Sequence, residues 1–274
     1  MSEMWDSVAG AWERNADLVD AQLAPATARM LDAARLAEGS AVLDIACGAG
    51  SAGIAAAGRV GAAGRVVLAD DAPLRVEAAG RRSAGLPQAG TLVCDLTGIE
   101  APDASFDAVL CRHGLMFADD HSAAVAEARR VLRPGGRYVA MTWDSRAANP
   151  WLGLIMDAVG EQFGVAFPPP GVAGPFPLDD PGLLADALRG GGLEDAEVVR
   201  VATPMHTASL ETWWELVPQL AGPLAIALAG MEADVRDAIR ARALAHGAGA
   251  ARASGDGIEM DGSVLVASGR RPAA

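Results

Sequence analysis

Short apolar runs separated by amphipathic stretches organise the first 145 residues. Val42 to Ala46, Val66 to Ala69, Thr91 to Cys94, Phe106 to Cys111 and Arg137 to Trp143 each read as a strand. They are nearly continuously apolar, which suits strands buried on both faces of a sheet. Between them, Leu74 to Ser83 and His121 to Leu132 carry apolar residues at helical spacing. In the second, Ala124, Val125, Ala128 and Leu132 share one side. Arg133-Pro134-Gly135-Gly136 reads as a turn by its Pro-Gly content. Strands alternating with helices in this way predict a parallel sheet with helices on both faces.

The flanks differ. Residues 2 to 37 read as helices. Downstream, Phe167 to Gly171 and Gly174 to Pro177 form a stiff, proline-rich loop. Leu183 to Leu188 looks helical, Glu197 to Ala202 reads as a strand, and 209 to 249 looks wholly helical. Ser263 to Ser268 is the last strand. A helical segment between the final two strands would lie above the sheet edge, as a lid would.

Composition narrows the function classes. The net charge of −13 gives a surface that repels nucleic-acid phosphates. All 22 basic residues are arginine, since the chain has no lysine. No apolar run reaches membrane-spanning length, and the N-terminus lacks a secretory pattern. The chain is therefore expected to be cytoplasmic, with no membrane span. Cys47, Cys94 and Cys111 lie far apart within or at the end of apolar runs and read as buried thiols in a reducing compartment. No His or Cys cluster has metal-ligand spacing, so no metal is expected.

The chemistry gathers at Val42-Leu43-Asp44-Ile45-Ala46-Cys47-Gly48-Ala49-Gly50-Ser51. A strand running into a tight glycine turn and then a helix presents backbone N–H groups to a ligand. A Walker phosphate loop requires a lysine, which the chain lacks. Gly48, Gly50 and Gly53 match a dinucleotide fingerprint formally. However, the carboxylate of Asp44 beside a pyrophosphate would be repulsive. An acid there suits a ligand bearing an amino group or a positive charge.

This stretch resembles motif I of the class I S-adenosylmethionine-dependent methyltransferases, and similar segments follow in order. Val66 to Pro73 is similar to the second motif, and Cys94-Asp95-Leu96 resembles the third. Ser105 to Phe117 resembles the fourth strand and its loop, and Arg130 to Arg137 the turn before the fifth. The likeness covers residues 1 to 145 well and the tail in outline. It lies nearest the ubiquinone/menaquinone-biosynthesis-like branch of small-molecule enzymes. Ala46 and Ala49 depart from the usual Gly and Thr, and Asp71 from the usual apolar residue. The resemblance implies a Rossmann-like, seven-stranded, mostly parallel α/β sheet with an antiparallel last strand, helices on both faces and a helical lid between the last two strands. It implies one domain over 1–274. Residues 1–37 would cover the cofactor, 38–145 would bind it, and 146–274 would hold the acceptor, with the lid at about 205–255.

The cofactor would be S-adenosyl-L-methionine, leaving S-adenosyl-L-homocysteine as product. Asp44, Ala46, Cys47, Gly48 and Gly50 would form its loop. Asp70 would take the ribose hydroxyls, with Asp71 beside it, and Asp95 with Leu96 the adenine amino group. Cys111 and Trp12 would complete the site. Trp5 and Trp12, seven apart, share one helix face. His113, just past the fourth strand, is the first candidate base and His206 the second, because imidazole titrates near neutrality. Arg112, Met116, Trp213 and Trp214 are candidates for the acceptor pocket, and Asp107 reads as structural. The expected reaction is methyl transfer to O, C or N of a small, apolar or aromatic metabolite. The alternative is a non-methylating cyclisation or rearrangement on the same fold, since motifs report binding and not chemistry. The expected partner is a small-molecule acceptor rather than nucleic acid, and a homodimer is the assembly to test.

Overall fold

The computed structural model describes residues 2–273. Two helices, α1 (Ser2–Arg14) and α2 (Ala16–Ala34), precede β1 (Ala41–Ile45), α3 (Ser51–Val60), β2 (Arg65–Asp70), α4 (Pro73–Ser83) and β3 (Ala89–Val93). Then come β4 (Phe106–Arg112), α5 (His121–Val131), β5 (Leu132–Trp143), α6 (Pro150–Phe163), α7 (Pro181–Gly190) and β6 (Glu194–Ala202). The chain ends with β7 (Met205–Thr207), α8 (Leu210–Leu220), α9 (Gly222–Ala229), α10 (Ala233–Ala250), β8 (Arg252–Ser254), β9 (Gly257–Met260) and β10 (Ser263–Arg270). The main sheet has seven strands in the order β3-β2-β1-β4-β5-β10-β6, and β10 runs antiparallel to both of its neighbours. The expected mostly parallel sheet with an antiparallel last strand is present.

The apolar runs explain the layering. Successive strand residues point to opposite faces, so each run feeds two cores. Leu43, Val109, Tyr138 and Leu265 meet α5 and α7 through Val125, Val131 and Leu188. Val42, Leu68, Leu110 and Val266 meet α2 and α3 through Leu23, Met30, Ala56 and Val60. Asp120 caps α5 by accepting from the Ala123 N–H at 2.9 Å. One contact is unusually close. A Cβ on Gly53 of α3 would stand 2.2 Å from Leu68 Cδ2 and 3.0 Å from Asp44. Helix propensity favours Ala over Gly by about 1 kcal/mol, but overpacking costs about 1–3 kcal/mol or more. Gly53→Ala is therefore expected to destabilise the fold by about 1–2 kcal/mol, read from urea denaturation midpoints.

Three features depart from the sequence reading. The stretch 209–249 is helical as expected, in three helices broken at Ala221 and again at 230–232. A three-stranded sheet, β7-β9-β8, flanks it; its strands have three or four residues each, too short to show a period. The helix α6 was not foreseen. It starts at Pro150, where Asn149 is fully buried and satisfied. Its Nδ2 donates to the carbonyls of Asp144, Ser145 and Ser263, and its Oδ1 accepts from the Ser263 N–H and from Trp151 Nε1. Finally, the turn at Arg133–Gly136 lies inside β5 as an irregularity. Leu132 pairs with Phe106, and pairing resumes with Arg137 opposite Ala108.

Candidate functional site

The carboxyl ends of β1, β2, β4 and β5 open into a cavity of about 550 Å³, within the range of small-molecule sites. The glycine loop forms its floor. Ala46 (φ 55°) and Gly48 (φ 56°) are both left-handed, and this turns the loop's N–H groups toward the next strand. The Cys47 N–H donates to the Ala69 carbonyl at 2.9 Å. The Gly48 N–H donates to Asp70 Oδ2 at 2.9 Å, while Asp70 Oδ1 accepts from the Ala72 N–H at 3.1 Å. Asp70 is 2% exposed and so fixes the loop against the end of β2.

Asp44 lies behind the loop and does not line the cavity. Its Oδ2 accepts from the Gly53 N–H at 2.7 Å, and its Oδ1 is buried without a partner. Burial pushes its carboxyl up to about 7. Asp71, Asp95, Leu96 and Trp12 all border the cavity. Asp95 is exposed there and caps its own turn by accepting from the Thr97 N–H at 2.7 Å. Arg112 is held at the cavity edge by Asp20 of α2, Nη2 to Oδ1 at 3.1 Å. The other oxygen of Asp20 accepts from Arg82 at 2.8 Å, and Arg82 also donates to the Ala49 carbonyl at 2.8 Å. The glycine loop, α2, α4 and the end of β4 are thus tied together.

Residues 43–140 match the methyltransferase domain family. The ubiquinone/menaquinone biosynthesis C-methyltransferase of Bordetella avium is 37% identical over 155 residues, 55% of this chain and 59% of that one. Over residues 43–140 the chain is thus similar to the class I S-adenosylmethionine-dependent methyltransferases. Two solved structures share its fold. The [4+2]-cyclase SpnF superposes with a TM-score of 0.58 at 18% identity, over 98% of this chain and 97% of that one. Geranyl diphosphate C-methyltransferase from Streptomyces coelicolor A3(2), solved with Mg²⁺, geranyl diphosphate and S-adenosyl-L-homocysteine, gives 0.51 at 17% identity, over 90% and 79%. The chain spans 34% to 64% of the length of the curated relatives it matches.

Beyond the family's glycine loop, the cavity continues between β5, α6 and the helices after β7. Its wall here is aromatic. The His113 ring stacks on Trp143 with centroids 4.0 Å apart and planes 18° apart, and Trp143 meets Trp151 edge-on at 5.0 Å. Both His113 nitrogens are sealed from solvent and make no hydrogen bond. Burial, with Arg112 alongside, holds its pKa well below the usual histidine range. Met116 lines the cavity.

Five other candidates lie elsewhere. Gly50, left-handed (φ 84°) at the start of α3, faces Ala79, Leu68 and Ile54 and does not line the cavity. Cys111 is fully buried under the sheet, near Tyr138, and burial raises its thiol to about 12. His206 is exposed on β7, 3.2 Å from Glu259. Trp213 is fully buried and donates from Nε1 to the Trp151 carbonyl at 2.6 Å, while Trp214 packs in the same helical core. Neither lines the cavity. An adjacent Trp pair signals burial in general and does not say which apolar space it fills. The cavity instead takes Trp143, Trp151, Met156, Phe167, Met205 and Leu224. In sequence, these residues had no pattern separating them from core.

Proposed function

We propose that this protein transfers a methyl group from S-adenosylmethionine to O, C or N of a small, uncharged, largely apolar acceptor. The observation that carries this is one cavity with two unlike ends. The first end has the motif I loop with Asp70, Asp71 and Asp95. The second is a charge-free wall of Trp143, Trp151, Met156, Phe167, Met205 and Leu224. The first end fits the cofactor by donor chemistry. Asp70 has lone pairs left for ribose hydroxyls, the rim of Asp71 and Asp95 suits a cationic ligand, and Gly48 keeps the loop open. Asp44 would act through the loop, by holding the first turn of α3, and not by direct contact.

The bound cofactor supplies an electrophilic methyl group. The chain's own residues do the rest. The aromatic wall desolvates the acceptor and holds it in line. Having no free cation, it disfavours carboxylate or diphosphate acceptors and suits quinone-like or phenolic ones. The C-methyltransferase name of the Bordetella avium relative favours attack by carbon. In this reading 38–145 hold the cofactor, 146–274 hold the acceptor, and α8 to α10 form the lid of one working domain.

His113 serves as neutral wall and not as base. Its nitrogens are sealed, and a depressed pKa makes a weak proton acceptor. His113→Phe, which keeps the stack on Trp143, is expected to retain turnover within about fivefold with an unchanged pH profile. A loss near the 10²-fold typical of general bases would restore His113 as the base. The test of the function itself is release of S-adenosylhomocysteine from S-adenosylmethionine with a panel of phenols and quinone precursors. Acceptor conversion without S-adenosylhomocysteine would point to cyclisation or rearrangement. Binding of neither cofactor form would overturn the reading.

A further inference from the structure

Of the cationic side chains that line the cavity, Arg112 is engaged by Asp20 and Thr27. Arg75 is not. It projects from the first turn of α4 and is 9% exposed. Its Nε is buried without a hydrogen-bond partner. Its nearest carboxylate is Asp70, at 3.9 Å from Nη1, beyond hydrogen-bonding distance. Both oxygens of Asp70 already accept from the Gly48 and Ala72 N–H groups. What holds the Arg75 guanidinium is aromatic: it lies over Trp5 at 4.4 Å and over Trp12 at 5.4 Å, both from α1. Such stacking uses the guanidinium's flat face and leaves the in-plane N–H fork free. The guanidinium carbon stands 3.8 Å from the position a Cβ on Gly48 would occupy, so the fork lies beside the glycine loop.

A buried, pre-stacked guanidinium with unmet donors calls for an acceptor of matching shape, and a carboxylate is the bidentate match. We propose that Arg75 is a cofactor-positioning residue that binds the amino-acid carboxylate of the S-adenosyl ligand at the glycine loop. The inference rests on the cofactor reading above and assigns a contact that reading does not. Trp5 and Trp12 then act through Arg75: they set its plane and strip water from its face. Asp6 supports the same placement by accepting from the Leu74 N–H at 3.0 Å, which fixes α1 on the start of α4.

The experiment is calorimetric titration of wild type, Arg75→Met and Arg75→Gln with two ligands. S-adenosylhomocysteine carries the carboxylate; 5′-methylthioadenosine carries the same nucleoside without it. Wild type is expected to prefer S-adenosylhomocysteine. Arg75→Met is expected to lose about tenfold to a hundredfold in affinity for it, the range for hydrogen bonds to a charged group. Affinity for 5′-methylthioadenosine should change less than threefold. Arg75→Gln, with a shorter side chain and one amide, should fall between. Equal losses on both ligands would make Arg75 a packing or ribose-side residue and overturn the proposal. So would unchanged affinity for S-adenosylhomocysteine. Failure of wild type to bind either ligand would instead overturn the cofactor reading itself.

Discussion

Asp70→Ala is expected to lower affinity for S-adenosylhomocysteine at least about a hundredfold. The side chain is 2% exposed, and its two oxygens satisfy the N–H groups of Gly48 and Ala72. Removing it leaves two buried donors unmet, each at about 1–3 kcal/mol, where about 2.7 kcal/mol is already a hundredfold. It also releases the left-handed Gly48 from the end of β2 and removes the carboxylate 3.9 Å from Arg75 Nη1. Asp70→Asn keeps one acceptor and turns an amide N–H₂ toward the other donor. Its loss should be smaller but still tenfold or more. Titration calorimetry with parallel thermal melts checks both. A folded Asp70→Ala protein binding within threefold of wild type would remove Asp70 from the site.

The second large effect is on stability and depends on pH. Burial raises the Asp44 carboxyl from 3.8 to about 7. The Gly53 N–H and Arg112 oppose the rise; Asp70 and Asp20 add to it. Between those two values the folded protein keeps a proton that the unfolded chain has released. The unfolded state then binds fewer protons, so stability falls as pH rises from about 4 through 7 and levels off above. The full displacement corresponds to about 4 kcal/mol. Asp44→Asn keeps an oxygen for the Gly53 N–H and carries no charge. Its stability relative to wild type should therefore improve steadily from pH 4 to pH 8. Urea denaturation midpoints of both proteins across that range measure it. Parallel curves would show that Asp44 is ionised in the folded protein throughout.

Most of the glycine-loop end of the cavity was legible because its signals are local. Asp44, Gly48, Asp70 and Asp95 sit at strand ends, and a strand end is fixed by where an apolar run stops. Even so, the sequence did not tell a residue that acts from behind the loop from one that faces the cavity. Asp44 and Cys111 share that ambiguity: both lie on or beside strands whose alternate residues point away. Arg75 was passed over because a helical arginine ordinarily lies in water. Only the packing of α1 across α4 brings Trp5 and Trp12 over it.

The aromatic end of the cavity was poorly legible for a different reason. Trp143, Trp151, Trp213 and Trp214 are equivalent as hydrophobic residues, and any of them could line a pocket or fill a core. The Asn149 junction, which ties the start of α6 to β10 across 114 residues of chain, sets Trp151 toward the cavity. The crossing of α8, α6 and α10 seals Trp213 away. His113 looked like a base by type and position, but the packing around it buries both nitrogens without a hydrogen-bond partner. The sequence alone determined the parallel sheet, the glycine loop and the order of the acids, because period and turn chemistry act over a few residues. The tertiary structure decided which tryptophans line the cavity, which arginine is stacked with its Nε unbonded and which histidine is sealed, because each depends on contacts between segments far apart in the chain.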